Sequence, residues 1–487
     1  MVAKIDKHKY TVNAQNIQTH KEKKYKLVVK TSKYNLSEGG ILNKLLFVAT
    51  PIILAQIFQM AYNLTDMFWL GRVSSDAVAA SGTAGLFLWL SIAFFLFGRM
   101  GAEIGVSQNL GKGDKETART YAQSAIAIAL VLGIVVGAIF FIFHETFIGF
   151  FRIQEANVEQ YAREYLAIVS LSLPMMFISA AITGIFNGAG NARLSLLING
   201  VGFSINMVLD PILILTLDMG IRGAGIATVI AHSVALCLAI ILLKKHKNRP
   251  FEKIKLLVKP NIEAVKQIFR WVSPVSLESG LFTVLTMIVT FLITRYGASA
   301  LATMRVGSQI ESLTWLIAGG YASALTAFTG QNFGAGKWSR IHRGFKISMV
   351  IMTVWGLLVS FLLFFFGGAL FRIFVPNDPE VIEMGIHLLK IFAVIQIPAC
   401  LEGVAAGIFR GLGKTMPPSI ASISSNVLRV VLAYGFMYLT DLSLTGLWLA
   451  VAISAAVRGI WILAWYMLHS RKIPKHDERI EITGETA

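Results

Sequence analysis

Two short stretches of the chain carry residues able to do chemistry where chemistry is costly. In QIFQMAYNLTD (56–66), Gln56, Gln59, Asn63 and Asp66 recur at steps of three and four, one face of a helix, and Tyr62 stands one turn before the acid. In NGVGFSINMVLDP (199–211), Asn199, Asn206 and Asp210 step by seven and four, with Pro211 directly after the acid. Thr228 lies in the next apolar run. Neither Lys nor Arg stands near Asp66 in its own run, so nothing local neutralises it. A carboxylate in such surroundings exchanges a proton, or joins Asn and Thr oxygens around a hard cation such as Na⁺. The residues alone leave both open. The plainer reading of the amides is that they bind helices to one another by hydrogen bonds; for Asp210 it is an acid near a helix end. Later acids are Glu278, Glu311 and Glu402, the first and last each four residues after a proline, with Arg429 and Arg458 available to pair with them.

Other patterns carry less. GKGDK (111–115) and GLGK (411–414) lack the spacing of a phosphate loop and any strand before them, so they read as turns between helices. Nine His show no HExxH or clustered metal spacing, and Cys237 and Cys400 both fall in apolar runs. No Ser/His or His/Asp grouping suggests catalysis, and no enzyme activity or cofactor is expected.

The elements that position these residues follow from composition. Of 487 residues, 55% are apolar and 15% charged, against about 25% charged in soluble domains. Twelve apolar runs follow one another, near 41–70, 83–105, 121–143, 161–186, 194–217, 223–243, 268–293, 305–329, 346–367, 385–409, 417–439 and 446–468. Most are long enough to cross a bilayer, which takes about 20 residues. The fold class is therefore all-α: a polytopic membrane protein of twelve transmembrane helices. The net charge of +17 is a matter of sidedness: 33 Lys and Arg fall on the side of the N-terminus and only eight on the other. The positive-inside rule makes the rich side cytoplasmic and puts both termini there. Scattered over loops and tails, these charges do not suggest nucleic acid. Residues 1–38, with nine lysines and no apolar core, read as a disordered cytoplasmic tail rather than a cleavable leader.

The chain also repeats itself. SQNLGKG (107–113) returns as GQNFGAG (330–336) and GIFNGAG (184–190) as GIFRGLG (407–413), both at a spacing of 223. Pro51 and Pro274 share that spacing, as do Gly223 and Gly446. Six spans per repeat is even, so the halves are parallel, and such halves form two bundles that rock about a site between them. The divisions expected are a tail 1–38, a first bundle 39–243, a linker 244–266, a second bundle 267–470 and a tail 471–487. At the same spacing Asp66 falls on Val289, Asp210 on Ala433, Thr228 on Val451 and Asn206 on Arg429, so the second half lacks the polar pocket.

With PIILAQIFQMAYNLTDMFWLGR, SQNLGKGD, FNGAGNAR and INMVLDP in these places, residues 38–470 resemble the multidrug and toxic compound extrusion (MATE) transporters. Acids in spans one and five are most similar to the archaeal and DNA-damage-inducible F type branch. The resemblance implies an antiporter coupled to H⁺ or Na⁺ that exports organic, often cationic, compounds by alternating access. It also implies that Asp66 and Asp210 are the coupling acids, surrounded by Tyr62, Asn206 and Thr228, and that the first helix bends at Pro51. Any Na⁺ would sit among Asp66, Asp210, Asn206 and Thr228; Glu278 and Glu402 are candidate acids of the second bundle. The expected partners are a small organic substrate and the lipid of the plasma (inner) membrane, with the chain a monomer. The alternatives are a lipid-linked-sugar flippase of the wider superfamily, which calls for a cationic cavity, and a polytopic membrane enzyme. The charge split yields a direct test. With native cysteines replaced, Lys253→Cys and Lys337→Cys should be shielded from an impermeant thiol reagent in intact cells, and Asn377→Cys should label. Labelling at 253 from outside would reverse the orientation.

Overall fold

The structure, a computed structural model, describes residues 34–472 apart from 154, 257 and 377, together with Pro474 and Asp477. The labelling position 377 and residues 1–33 thus lie outside the described residues. Fourteen α-helices are described and no strands: α1 (Ile41–Val73), α2 (Ser75–Lys112), α3 (Lys115–Ile142), α4 (His144–Gly149), α5 (Ala156–Ser170), α6 (Leu173–Gly188), α7 (Ala192–Pro211), α8 (Gly220–Lys245), α9 (Ile262–Thr294), α10 (Ala298–Gly334), α11 (Trp338–Phe374), α12 (Pro379–Gly411), α13 (Met416–Leu439) and α14 (Ser443–Ser470). Ten of them are long and apolar enough to cross a membrane, and α5 with α6, bent by 48°, makes one broken span. The twelfth is α10, whose 37 residues include Arg305 and Glu311. Several helices outrun the apolar stretches. The second run, near 83–105, sits in α2 of 38 residues, because polar turns past the apolar core still satisfy their backbone helically.

Helix ends follow local chemistry. Ser74, Asp114, Asn261 and Asp378 cap α2, α3, α9 and α12 by accepting a backbone N–H. On the basic side the turns after α2, α6, α10 and α12 contain Gly113, Gly190, Gly336 and Gly413, all with φ between 64° and 81°. That left-handed backbone favours glycine. The four positions form two pairs 223 apart, so the recurring glycines are recurring turns.

Glycine also sets how closely helices pass. Gly184 and Gly188 of α6 lie against the carbonyls of Arg99 and Glu103 of α2; a Cβ on Gly188 would come within 2.7 Å of the Glu103 oxygen. Gly407 and Gly411 of α12 do the same against Ala322 and Thr326 of α10, 223 residues on. Lipid tails offer no hydrophobic drive for helix pairing, so close backbone packing between small residues does that work.

The two halves join on the basic side through contacts that obey the same pseudo-two-fold. Gly111 abuts the Gln331 carbonyl and Gly334 the Gln108 carbonyl. The Gln108 amide donates to the Gly411 carbonyl at 2.8 Å, and the Gln331 amide donates to the Gly188 carbonyl at 2.9 Å. The cores interpenetrate as well. Leu45, Val48, Ala49 and Ile52 of α1 are buried with the second half, whereas Ile268, Trp271, Val272 and Val275 of α9 are buried with the first. These two sets are also 223 apart. The helices that open the two expected bundles, α1 and α9, are therefore each shared by both cores, and the boundary drawn at 267 falls inside α9. Helix α1 is continuous through Pro51. That proline supplies no N–H to the Phe47 carbonyl, which weakens the ladder at the crossing.

Two connections differ from expectation. The linker is shorter, 246–261, because α8 and α9 extend into it. It is strapped to α3: the Lys255 carbonyl accepts from Gln123 and the Asn261 N–H donates to Ser124. Residues 34–38, assigned above to a disordered tail, are docked instead. Leu36 is fully buried; its N–H donates to Gln331 and its carbonyl accepts from Asn332 and Arg340. Lys337 donates to the Ser37 carbonyl, the Tyr34 hydroxyl accepts from Asn248 of the linker, and the Tyr34 carbonyl lies against Gly190 of the first half. The segment thus spans the seam between the bundles. Among the described residues, every hydrogen bond between the halves lies toward the basic side. Gly334→Ala should consequently push that seam apart, whereas Gly435→Ala, which meets open space, should not. Spin labels at Lys115 and Arg343 should report a longer mean distance in the first variant alone.

Candidate functional site

Helices α1, α5, α7 and α8 bring the predicted pocket together in the first half. Asp210 is fully buried at the end of α7, and the Asn206 amide one turn earlier, with its NH₂ turned toward the carboxylate, donates to Asp210 Oδ2 at 2.8 Å. In the same orientation its oxygen lies 3.2 Å from the Thr228 N–H. The Thr228 hydroxyl donates to the Ala224 carbonyl at 3.0 Å, which leaves its lone pairs facing the pocket. Asp66 on α1 is close enough for the two carboxylates to feel each other, and its Oδ1 is buried without a hydrogen-bond partner among the described residues. No ion pair reaches either acid in that set. Tyr62 and Tyr165 converge on Thr228. All five predicted residues, Asp66, Asp210, Asn206, Thr228 and Tyr62, are therefore neighbours. Tyr165, on the amphipathic α5, gave no sign of this in sequence.

Below the acids, toward the basic side, lies a cavity of about 100 Å³. Tyr62, Asn206 and Thr228 close its upper end, and Tyr62 stacks on Phe203 with ring centroids 5.4 Å apart. Gln59 and Asn199 line it as expected; Gln59 is exposed, so the cavity opens there. The rest of the predicted stripe departs. Gln56 instead faces Gly319 of α10, and Asn63 is exposed. Arg99 and His232 also line this cavity. Arg99 was visible as a charge inside a span, but sequence does not say into which space it points.

The second half is filled where the first is hollow. Val289, Ala433 and Val451, the counterparts of Asp66, Asp210 and Thr228, are buried in one apolar cluster. Arg429, at the place of Asn206, donates to Ser454 at 3.0 Å. Of the candidate acids, Glu402 is held by Arg458 at 2.7 Å, with side-chain exposures of 17% and 8%. Glu278 is near enough to Glu402 to repel it, and its Oε2 is buried and unpartnered. Glu402 is thus neutralised in place, unlike Asp66. Removing one member of such a pair strands the other, whereas removing both does not. Arg458→Met should lower stability by about 3 kcal/mol, and adding Glu402→Leu should restore most of it. Thermal unfolding of the purified variants in one detergent measures both.

Comparison with known proteins agrees with this layout. The family described as MatE matches residues 51–212 and 274–435, two segments offset by the repeat distance. The probable multidrug resistance protein NorM of Thermotoga maritima is 27% identical over 433 residues, 88% of this chain and 92% of that one. The multidrug export protein MepA of Staphylococcus haemolyticus is 22% identical, over 90% of this chain and 95% of that one. Among solved structures, an outward-facing multidrug resistance MATE family transporter of the MOP superfamily superposes with TM-score 0.85 at 23% identity, covering 91% and 99% of the two chains. A MOP superfamily transporter from Pyrococcus furiosus, for which a binding pocket of reverse polarity is described, gives TM-score 0.85 at 22% identity over the same shares.

Proposed function

The chain belongs to the MatE family, and from that membership we propose that it is an antiporter, coupled to H⁺ or Na⁺, that exports organic compounds by alternating access. The relatives named for multidrug resistance support export of drugs or toxic metabolites. The observation that carries the coupling is the one-sided pocket. Two adjacent carboxylates without a basic partner among the described residues call for a cation, and the second half fills the same place with Val289, Ala433 and Val451. A proton shared by the pair meets that need. So does Na⁺, for which Asp66, Asp210, the Asn206 oxygen and the Thr228 hydroxyl are suitable hard ligands.

Helix α1 supplies the mechanical link. Its outer part carries Tyr62 and Asp66 in the first-half pocket, whereas its inner part is packed into the second half's core. Occupancy at Asp66 thus bears on a helix that both bundles hold. With the basic side in the plasma-membrane cytoplasm, as the charge split supports, the joined face is the inner one and the pocket faces outward. Release of substrate would be exchanged there for the entering ion, whose binding neutralises the acids before the bundles rock. A protein of a transporter family needs no covalent chemistry for this cycle, and none is proposed.

Asp66→Asn and Asp210→Asn keep shape but remove the exchangeable charge. Each should abolish efflux driven by an imposed pH or Na⁺ gradient in proteoliposomes, with membrane insertion intact. Glu278→Gln should be intermediate, and Glu402→Gln milder. Near wild-type efflux by Asp66→Asn together with a dead Glu278→Gln would move the ion site to the second half.

A further inference from the structure

The segment before α1 is held very differently by the two bodies it bridges. Toward the second half its backbone is tied group by group. The Leu36 N–H donates to Gln331 Oε1 at 2.8 Å, and the Leu36 carbonyl accepts from Asn332 at 3.3 Å and from Arg340 at 3.2 Å. Lys337 donates to the Ser37 carbonyl at 3.0 Å, and Arg340 to the Gly39 carbonyl at 2.9 Å. Bonds from charged donors are the stronger kind. Asn35 Oδ1 accepts from the Ser37 N–H at 3.0 Å, which fixes the turn within the segment. The chain then runs into α1, whose inner part is buried with the same half.

Toward the first half the segment is pressed rather than tied. The Tyr34 carbonyl and the Leu36 side chain close on Gly190. A Cβ there would collide with the Tyr34 oxygen and stand 3.2 Å from Leu36 Cγ. Leu36 shares its apolar cluster with Ala192, at the start of α7. From the linker, Asn248 donates to the Tyr34 hydroxyl at 3.1 Å. Gln331 stands at the junction: its oxygen holds Leu36, and its NH₂ holds the Gly188 carbonyl of the first half. The repeat does not duplicate this arrangement. Gly413, the counterpart of Gly190, is covered by the side chains of Trp271 and Gln108 instead of by a chain segment.

We propose that residues 34–38 are a latch, hinged on the second half and catching the first at Gly190, which holds the basic side shut and has to leave Gly190 before the halves can part there. The two attachments differ in range. Contact at Gly190 is close packing, and a gap of an ångström or less already forfeits much of it. The directed bonds to Gln331, Asn332, Lys337 and Arg340 move with the second half and survive the parting. Opening also brings water to Leu36, which is fully buried while the seam is closed, and that exposure opposes it. The latch therefore weights the closed state of the basic side without having to unfold when that side opens.

This inference rests on the alternating-access reading above, and one experiment separates the two. With native cysteines replaced, spin labels are placed in pairs at Lys115 and Arg343, at Glu38 and Arg343, and at Glu38 and Lys115. Distances are measured by double electron–electron resonance in nanodiscs at acid and alkaline pH, with and without Na⁺. Wherever a long Lys115–Arg343 population appears, Glu38–Lys115 should lengthen with it and Glu38–Arg343 should stay single. Gly190→Ala should raise the long-to-short ratio about ten-fold, the change that about 1.4 kcal/mol of lost contact produces. Leu36→Ala, which leaves the backbone bonds in place, should act in the same direction. Gly113→Ala meets the same left-handed backbone, φ 81° against 79°, but nothing lies within 4 Å of its Cβ, so it should leave the ratio unchanged. If neither Gly190→Ala nor Leu36→Ala raises the ratio above that of Gly113→Ala, or if Glu38–Arg343 lengthens on opening, the latch is overturned and alternating access stands. A Lys115–Arg343 distance that stays single and short under every condition, in the wild type and in both latch variants, overturns alternating access and the latch with it.

Discussion

Close approach of helix backbones is the constraint on which the rest of this structure depends. In lipid the pairing of helices gains little from hiding apolar surface, because the solvent is itself apolar. Contact has to come from packing, and packing is tightest where no Cβ intervenes. Gly184 and Gly188 let α6 lie on the carbonyls of α2, and Gly407 and Gly411 repeat this between α12 and α10. Gly111 and Gly334 then apply the same device between bundles, where Gln108 and Gln331 each take up a carbonyl of the other half. A two-fold interface of this kind is self-complementary: whatever one half offers, the other receives.

On that symmetric scaffold sits an asymmetric interior. The first half is hollow and polar around Asp66, Asp210 and Asn206. The second, at equivalent positions, is packed with Val289, Ala433 and Val451, and its charges are largely satisfied: Glu402 by Arg458 and Arg429 by Ser454. Symmetry gives two bodies of like shape joined at one seam, and asymmetry confines the two acids without a basic partner among the described residues to the first of them. Helices α1 and α9 tie the two bodies together, since each is rooted in the opposite half's core on the basic side. The docked segment around Leu36 adds a further tie across the same seam.

The sequence by itself determined the membrane class, the twelve spans, the repeat and the acid pair. Each of these is a local or periodic property: span length against bilayer thickness, charge beside a span, an offset of 223, and steps of three, four and seven that keep Asp66 and Asn206 on helical faces. Recurrence of glycine at positions 113, 190, 336 and 413 was legible too, because left-handed turns have few other occupants. What only the tertiary structure decided is which faces meet. Gln56 and Gln59 are one turn apart, yet one touches Gly319 across the seam and the other lines the cavity. Tyr165 joins the pocket from a helix of ordinary pattern, Glu402 turns out to be paired, and Arg99 lines the first-half cavity with no ion pair or hydrogen bond among the described residues. Residues 34–38 look like the start of a solvated tail until their partners 295 to 304 residues away are in place. In each case the outcome rests on contacts between segments distant in the chain. Helical periodicity fixes the direction of a side chain about its own axis but not what stands opposite it.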